Sequence, residues 1–225
     1  MDLYVEDVVK RLGIQVIYIL IYNINNKKYD PDLKDTFIEY QKSLLHEESY
    51  NTVRNHPYLI GYRDLHHQIK IDSNQLLASP ESMFKVLFEK RKLPSINSLV
   101  DCYNLVSMQN KISIGAHDLC KINGNVTLRL TNGEEIFKSI GNGEGEKVSS
   151  GEYCYFDDTQ EIICRLDCKQ CNKTKITKST KSSLIVIQGN KSIGLNSLLL
   201  TSKSMINLIS KYNHSSIDYS ISLNK

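Results

Sequence analysis

"LPSINSLVDCYNLVSMQNKISIGAHDLCKINGNVTLR", residues 93–129, decides the fold, because its hydrophobic period changes partway through. After the break at "KLPS", Ile96, Leu99, Val100, Tyr103 and Val106 recur at helical spacing, which predicts a helix from Ile96 to about Met108. Asp101, Asn104 and Met108 fall on another face of that helix. Further on, Val126, Leu128 and Leu130 alternate with Asn125, Thr127 and Arg129, which predicts a strand. Between the two lies a joint, Gly115-Ala116-His117-Asp118. A His-Asp pair there has three readings: catalytic, ligand-binding or turn-completing.

Working outward, the same two periods recur. The apolar run Val16–Tyr22 reads as a buried strand within Gln15–Asn23, followed by a polar turn at "NINNKKYDPD". Phe37, Tyr40, Leu44 and Leu45 suit a helix over Thr36–Val53, which His56-Pro57 breaks. Residues 58–78 read as irregular, and the adjacent His66-His67 as surface residues. Ser79 is expected to cap a helix with Pro80 and Glu81 in its first turn and Met83, Phe84, Leu87 and Phe88 as its apolar stripe. Asn132-Gly133 predicts a hairpin turn, its return strand near Glu135–Phe137. Strands are expected at 152–156, 161–166 and Ser183–Gln188, the first two pairing around Asp157–Gln160. A helix follows from Ile193 to Tyr212, with Leu195, Leu198, Leu199, Ser202, Met205, Ile206 and Ile209 inward. The tail "SIDYSISLN" alternates like an edge strand. The expected class is α+β, with antiparallel or mixed sheet layers flanked by helices. The expected organisation is an N-terminal portion (1–56), a central domain (57–190) and a C-terminal helix and strand (191–225) in one globule.

Composition narrows the function classes. The chain has 225 residues, 40% hydrophobic and 24% charged, as in ordinary globular domains. A net charge of +3 does not by itself mark a nucleic-acid binder. The longest apolar run is far too short to span a bilayer, and the opening Met1-Asp2 shows no leader pattern, so a cytoplasmic setting is expected. The six cysteines are then expected to be reduced. Cys168-x-x-Cys171 is half of a zinc pattern that Cys154 or Cys164 would have to complete; small hydrophobes on strands is the favoured reading, with no metal expected. "GNGEGE" (141–146) reads as a flexible acidic loop and lacks the Lys-Ser/Thr of a phosphate cradle.

Taken in order, the residues resemble a known family. Ile96, Asn97, Val100, Asp101 and Asn104, then the loop with Asp118-Leu119, Gly124 and a strand ending in Arg129, are similar to the B3/B4 domain. This is the editing domain in the beta subunit of bacterial-type phenylalanyl-tRNA synthetase, which also occurs freestanding. "GEYCYFDD" (151–158), "RLDCKQ" (165–170) and "TKITKST" (174–180) resemble the freestanding branch. The likeness covers roughly 57–190. It implies an α+β fold and a cavity that accepts the aminoacylated 3′ end of tRNA and hydrolyses a wrongly attached amino acid. Two departures bear on it. The synthetase domain has its loop histidine two positions earlier, where this chain has Gly115. A carboxylate expected at the end of the last domain strand is Gln188 here, which removes a charge able to read a substrate ammonium or hydroxyl.

The residues suit that chemistry in part. Ester hydrolysis needs a placed water and stabilisation of the oxyanion, but no covalent nucleophile, metal or cofactor. His117 is the expected orienter of the water or terminal ribose, with Asn104 either substrate-contacting or bridging to the joint. Asp118 either fixes the histidine tautomer or caps the junction. Gly115 and Ala116 allow close backbone approach, their N–H groups facing the oxyanion. Gln170 and Gln188 complete the expected substrate-binding set. Arg165, Lys169, Lys173, Lys175, Lys178 and Lys181, opposed only by Asp167, form an expected track for an RNA backbone. Tyr153 and Tyr155 can stack a base or lie half-buried in the core. The expected function is trans-acting deacylation of mischarged aminoacyl-tRNA. The alternatives are a non-catalytic RNA-binding module with a degenerate pocket and a small-molecule hydrolase or amino-acid binder.

Overall fold

The computed structural model describes residues 1–72, 76–142, 144–213 and 216–225. The chain opens with a strand, β1 (Leu3–Val5), and one helical turn, α1 (Asp7–Lys10), before the apolar run forms β2 (Gln15–Tyr22). The run is apolar without alternation because β2 is buried on both faces. Ile17, Ile19 and Ile21 enter one core, while Val16, Tyr18 and Leu20 enter another.

Helices α2 to α6 follow. α2 (Pro31–Glu47) is capped by Asp30, whose carboxylate accepts the Leu33 N–H. The single helix expected over Thr36–Val53 is divided in two. Glu48 is extended, and the Ser49 hydroxyl accepts the Thr52 N–H to start α3 (Tyr50–Arg54). The stretch 58–78, expected to be irregular, begins as α4 (Pro57–Gln68). The proline that stops one helix suits the first turn of the next, and the His56 ring accepts the Tyr58 N–H as the cap. Leu59, Tyr62, Leu65 and His66 form its buried face; residues 73–75 of that stretch lie outside those described. α5 (Ser79–Lys90) starts without a side-chain cap, because its cap position is Ala78; Ser79, expected to cap, is the first helical residue, and its hydroxyl meets Ser113 Oγ at 3.0 Å. α6 (Ser98–Asn110) starts two residues later than expected, on the Asn97 cap, and leaves Ile96 51% exposed rather than inward.

The second half is mostly strand. β3 (Ser113–Asp118) leads through a 3-10 turn (Leu119–Lys121) to β4 (Val126–Leu130), then β5 (Ile136–Phe137), β6 (Glu146–Lys147), β7 (Tyr153–Asp157), β8 (Ile162–Arg165), β9 (Lys169–Gln170) and β10 (Ser183–Gly189). α7 (Leu195–Asn213) and β11 (Asp218–Leu223) close the chain. The expected β4 hairpin does not form. β4 pairs with β1 in parallel and with β7 antiparallel, whereas β5 pairs with β6. The Glu135 carboxylate accepts the N–H groups of Asn132 and Gly133, so this turn closes on itself. Gly143 of the "GNGEGE" loop lies outside the described residues. Leu195 and Leu199 of α7 are exposed, and its inward face runs through Leu198, Met205, Ile206 and Ile209.

The layers follow from the pairing. One sheet has the order β11-β2-β10-β3 and the other β1-β4-β7-β8-β9. The four-stranded sheet lies between the helices and the five-stranded sheet, and each face has its own core. It draws strands from the first 56 residues, the centre and the C-terminal segment alike. β10 repeats the β2 division, Ile185 and Ile187 toward the helices, Leu184 and Val186 toward the second sheet.

Tyr62 of α4 ties the helical layer to the end of the β3–β10 ladder. Ser113 and Gln188 face each other there, and the buried Tyr62 hydroxyl donates to the Gln188 carbonyl while accepting the Ser113 N–H at 2.9 Å. Replacing Tyr62 with Phe strands both backbone groups in a buried place. Urea unfolding of Tyr62→Phe should show a loss of about 1–3 kcal/mol. A variant as stable as the parent would mean that the hydroxyl does not hold the ladder.

A candidate active-site cavity at the edge of the middle sheet

β3 is an edge strand, and its two faces differ. Ile114 and Ala116 point into the helical core. Ser113, Gly115 and His117 alternate with them and face a cavity of about 310 Å³. The joint expected at Gly115-Ala116 is therefore regular strand, paired to Val186 and Ile185. Ala116 does not line the cavity, because strand alternation turns its methyl to the other face. β10 supplies Val186 and Gln188, and the second sheet supplies Tyr155, Cys164 and Gln170. Exposed Ser82 and Ile140 stand at the opening.

The α6 motif divides into three tasks. Asn97 caps the helix by accepting the Val100 N–H. Asp101 is buried and accepts the Ile96 N–H at 2.8 Å and the Ser95 hydroxyl, pinning the preceding turn. Burial raises its carboxyl above the ordinary value, partly offset by those bonds. Asn104 is half-buried and lines the cavity, as a substrate contact would.

His117 is 1% exposed, and its Nδ1 lies 2.7 Å from Thr174 Oγ1. Burial lowers the imidazole from 6.5 to about 4, so it is neutral at physiological pH. Asp118 does not fix its tautomer. Being next along the strand, its carboxylate points the opposite way, where it accepts the Cys120 N–H and the Thr180 hydroxyl and caps the 3-10 turn. Thr174 also ties the segment down through its carbonyl, which accepts the Asp118 N–H at 2.8 Å.

The two glutamines differ. A Cβ on Gly115 would come within 2.9 Å of Gln170 Nε2, so only glycine lets that amide lie so close to the strand. Gln188 is 2% exposed; its Oε1 accepts the Tyr155 hydroxyl at 2.6 Å, and its Nε2 is buried without completing a hydrogen bond. Tyr153 and Tyr155 are fully in the core, which removes them as base-stacking platforms.

Sequence reasoning missed a buried cluster beside the cavity. His66, expected at the surface, is 1% exposed on the inner face of α4; His67 is exposed. His66 Nε2 lies 2.8 Å from Asp167 Oδ1, and Nδ1 lies 3.0 Å from the Leu76 carbonyl. Burial pulls the His66 pKa down, but the Asp167 carboxylate outweighs it and holds the imidazole above its ordinary value. Cys168 Sγ donates to Asp167 Oδ1 at 3.3 Å. Among the described residues these three are the one grouping of metal-ligand types within 4.8 Å of one another. The expected partners Cys154, Cys164 and Cys171 do not join them. Two ligands of one tetrahedral zinc stand about 3.3 Å apart. The 2.8 Å His66–Asp167 spacing is instead that of a hydrogen bond. Burial also holds the Cys168 thiol well above its ordinary value.

The expected basic track is largely neutralised. Arg165 is 8% exposed and forms a bidentate pair with Glu152, with Nη1 2.9 Å from Glu146. It is held inside, not offered to phosphate, because β8 points it at acids of neighbouring strands. Lys169 pairs with Glu146, and Lys173 with Asp157 and Glu161. Lys175, Lys178 and Lys181 are exposed on the segment whose Thr174 holds His117.

Compared with known families, residues 62–206 match the model of the B3/4 domain. Among solved structures, the chain is similar to an N-terminal fragment of the phenylalanyl-tRNA synthetase beta-subunit from Pyrococcus horikoshii, at 12% identity and a TM-score of 0.52. The similarity covers 98% of this chain and 50% of the other, so the chain spans about half the length of that fragment. At this identity the likeness bears on the fold. No curated protein matches. Among the described residues, no helix is long and apolar enough to cross a membrane.

His117 and His66 pull stability in opposite directions with pH. His117 has a folded pKa below its unfolded value, so its contribution is complete above about 6.5 and is lost as pH falls toward 4. That loss amounts to roughly 3 kcal/mol. His66 has a raised pKa, so its contribution is complete below the unfolded value and is lost as pH rises through the folded one. In His117→Gln, chemical denaturation between pH 6.5 and 4 should show a flatter decline than the parent. An unchanged slope would remove His117 from the acid limb.

Proposed function

The chain belongs to the B3/4 domain family, and from that premise we propose that it hydrolyses mischarged aminoacyl-tRNA in trans. The observation that carries the reading is His117: a buried, neutral imidazole among the residues that line the cavity. A volume of about 310 Å³ stands at the lower end of small-molecule pockets, enough for an aminoacyl group with the terminal ribose toward the opening. The structural neighbour's name supplies the tRNA, and three exposed lysines beside the Thr174 clasp suit its phosphates.

In this reading a water attacks the ester carbonyl carbon. The new C–O bond forms, the bond to the terminal ribose oxygen breaks, and one water proton ends on that oxygen. The amino acid leaves as a carboxylate, releasing the other proton. His117, a weak base at about 4, orients the water or the ribose hydroxyl and does not store a proton. Asn104 faces the same space from α6 and contacts the ester. Gln170 and Gln188 line the wall around the amino-acid side chain. Gly115 keeps that wall open, and Asp118 holds the end of the strand from its other face.

The test is a panel of tRNAs, each charged with a cognate or noncognate amino acid, incubated with the protein. At least one should release free amino acid faster than it does spontaneously, and His117→Ala should slow that release by about 10²-fold with the fold intact. Binding without release, weakening steeply with salt, would favour a non-catalytic RNA-binding module. Cleavage of simple amino-acid esters with no preference for tRNA would point to a small-molecule hydrolase.

A further inference from the structure

Gly115 stands in the middle of the cavity face of β3, between Ser113 and His117. Its backbone does not call for glycine. It pairs in register with Val186, and its φ is not positive. Glycine inside a strand gives up chain entropy and packs nothing, so its place here has another cause. That cause is close approach. A Cβ at 115 would come within 2.9 Å of Gln170 Nε2, tighter than real Cβ contacts allow. Apart from its chain neighbours, no other described residue comes within 4 Å of that point. Gln170 can give way only through its side chain, because its backbone pairs with Cys164 of β8 and its carbonyl accepts the Ile140 N–H at 3.1 Å. Gly115 and Gln170 are both half-buried and both line the cavity.

We propose that Gly115 and Gln170 together set the size of the aminoacyl side chain that this cavity accepts. This rests on the deacylase reading above and names the substrate feature that the cavity selects. The Gln170 amide lies close against β3 because residue 115 has no side chain. A methyl there pushes the amide off the strand, on the side of β3 that faces the cavity. The displaced amide takes up space that the amino-acid side chain would otherwise fill. Removing the Gln170 side chain does the reverse and widens the same space. The two positions are therefore coupled, since the effect of a substitution at 115 depends on what stands at 170.

The experiment measures binding of three stable analogues of the charged 3′ end, 3′-aminoacylamino-3′-deoxyadenosines carrying alanyl, valyl and phenylalanyl groups. In Gly115→Ala, affinity for the phenylalanyl analogue should fall by about 10-fold relative to the alanyl one, with the valyl one between. In Gln170→Ala the same ratio should move the other way. With Gln170→Ala already in place, Gly115→Ala should change the ratio by less than about twofold. A ratio that neither single variant moves overturns the size assignment and leaves ester cleavage to be judged on the charged-tRNA panel. A Gly115→Ala effect equally large in both backgrounds overturns the part given to Gln170, because the methyl alone would then fill the space. Failure of the parent to bind any of the three overturns both readings. Gln170→Ala leaves β3 untouched, so the comparison stands even if Gly115→Ala folds poorly.

Discussion

A sheet that is covered on both sides has to fill both sides, and β3 fills only one. Toward the helices it offers Ile114 and Ala116; toward the second sheet it offers Ser113, Gly115 and His117. Protein interiors seldom leave space larger than a water molecule, because unfilled volume forfeits dispersion contacts. The cavity persists because its walls are held from elsewhere. β2 and β10 anchor two cores, Tyr62 bridges the ladder end, and Thr174 and Asp118 bind the far end of the strand.

Much of this was legible in the sequence, and the exceptions have physical causes. The unbroken apolar run of β2 announced a buried strand, and the structure buries it on both faces. The change of period across residues 93–129 announced helix followed by strand. Yet "SIGAHD" alternates as well: Ile114 and Ala116 are apolar, and Ser113, Gly115 and His117 are not. It reads as a joint only if glycine is taken as a breaker, whereas here glycine admits the Gln170 amide. Proline misled in the same way at Pro57, where it begins a helix. His66 was illegible because its burial depends on Asp167, 101 residues away. The pairing of Arg165 with Glu152 was equally out of reach, since it depends on the strand order of a sheet.

The electrostatics of the site follow from the same layering. His66 and His117 are both buried, and of the two His66 has a carboxylate beside it, so one imidazole is held above its ordinary pKa and the other below. Gln188 stands where the family resemblance leads one to expect a carboxylate, and the nearby carboxylate of Asp167 is buried against His66. The outer surface is neutralised in part as well. A track of six cations reduces to three once Arg165, Lys169 and Lys173 are seen in their ion pairs. Charge counted along a chain overstates what a partner meets when strands bring acids alongside.

The most direct measurement is a crystal structure of the protein with a non-hydrolysable 3′-aminoacyl-adenosine analogue. The account predicts the carbonyl that replaces the ester beside His117, with the amino-acid side chain between Gln170 and Gln188 and the adenosine toward the opening near Ile140. An analogue bound outside this cavity, with the space beside β3 still empty, would contradict it.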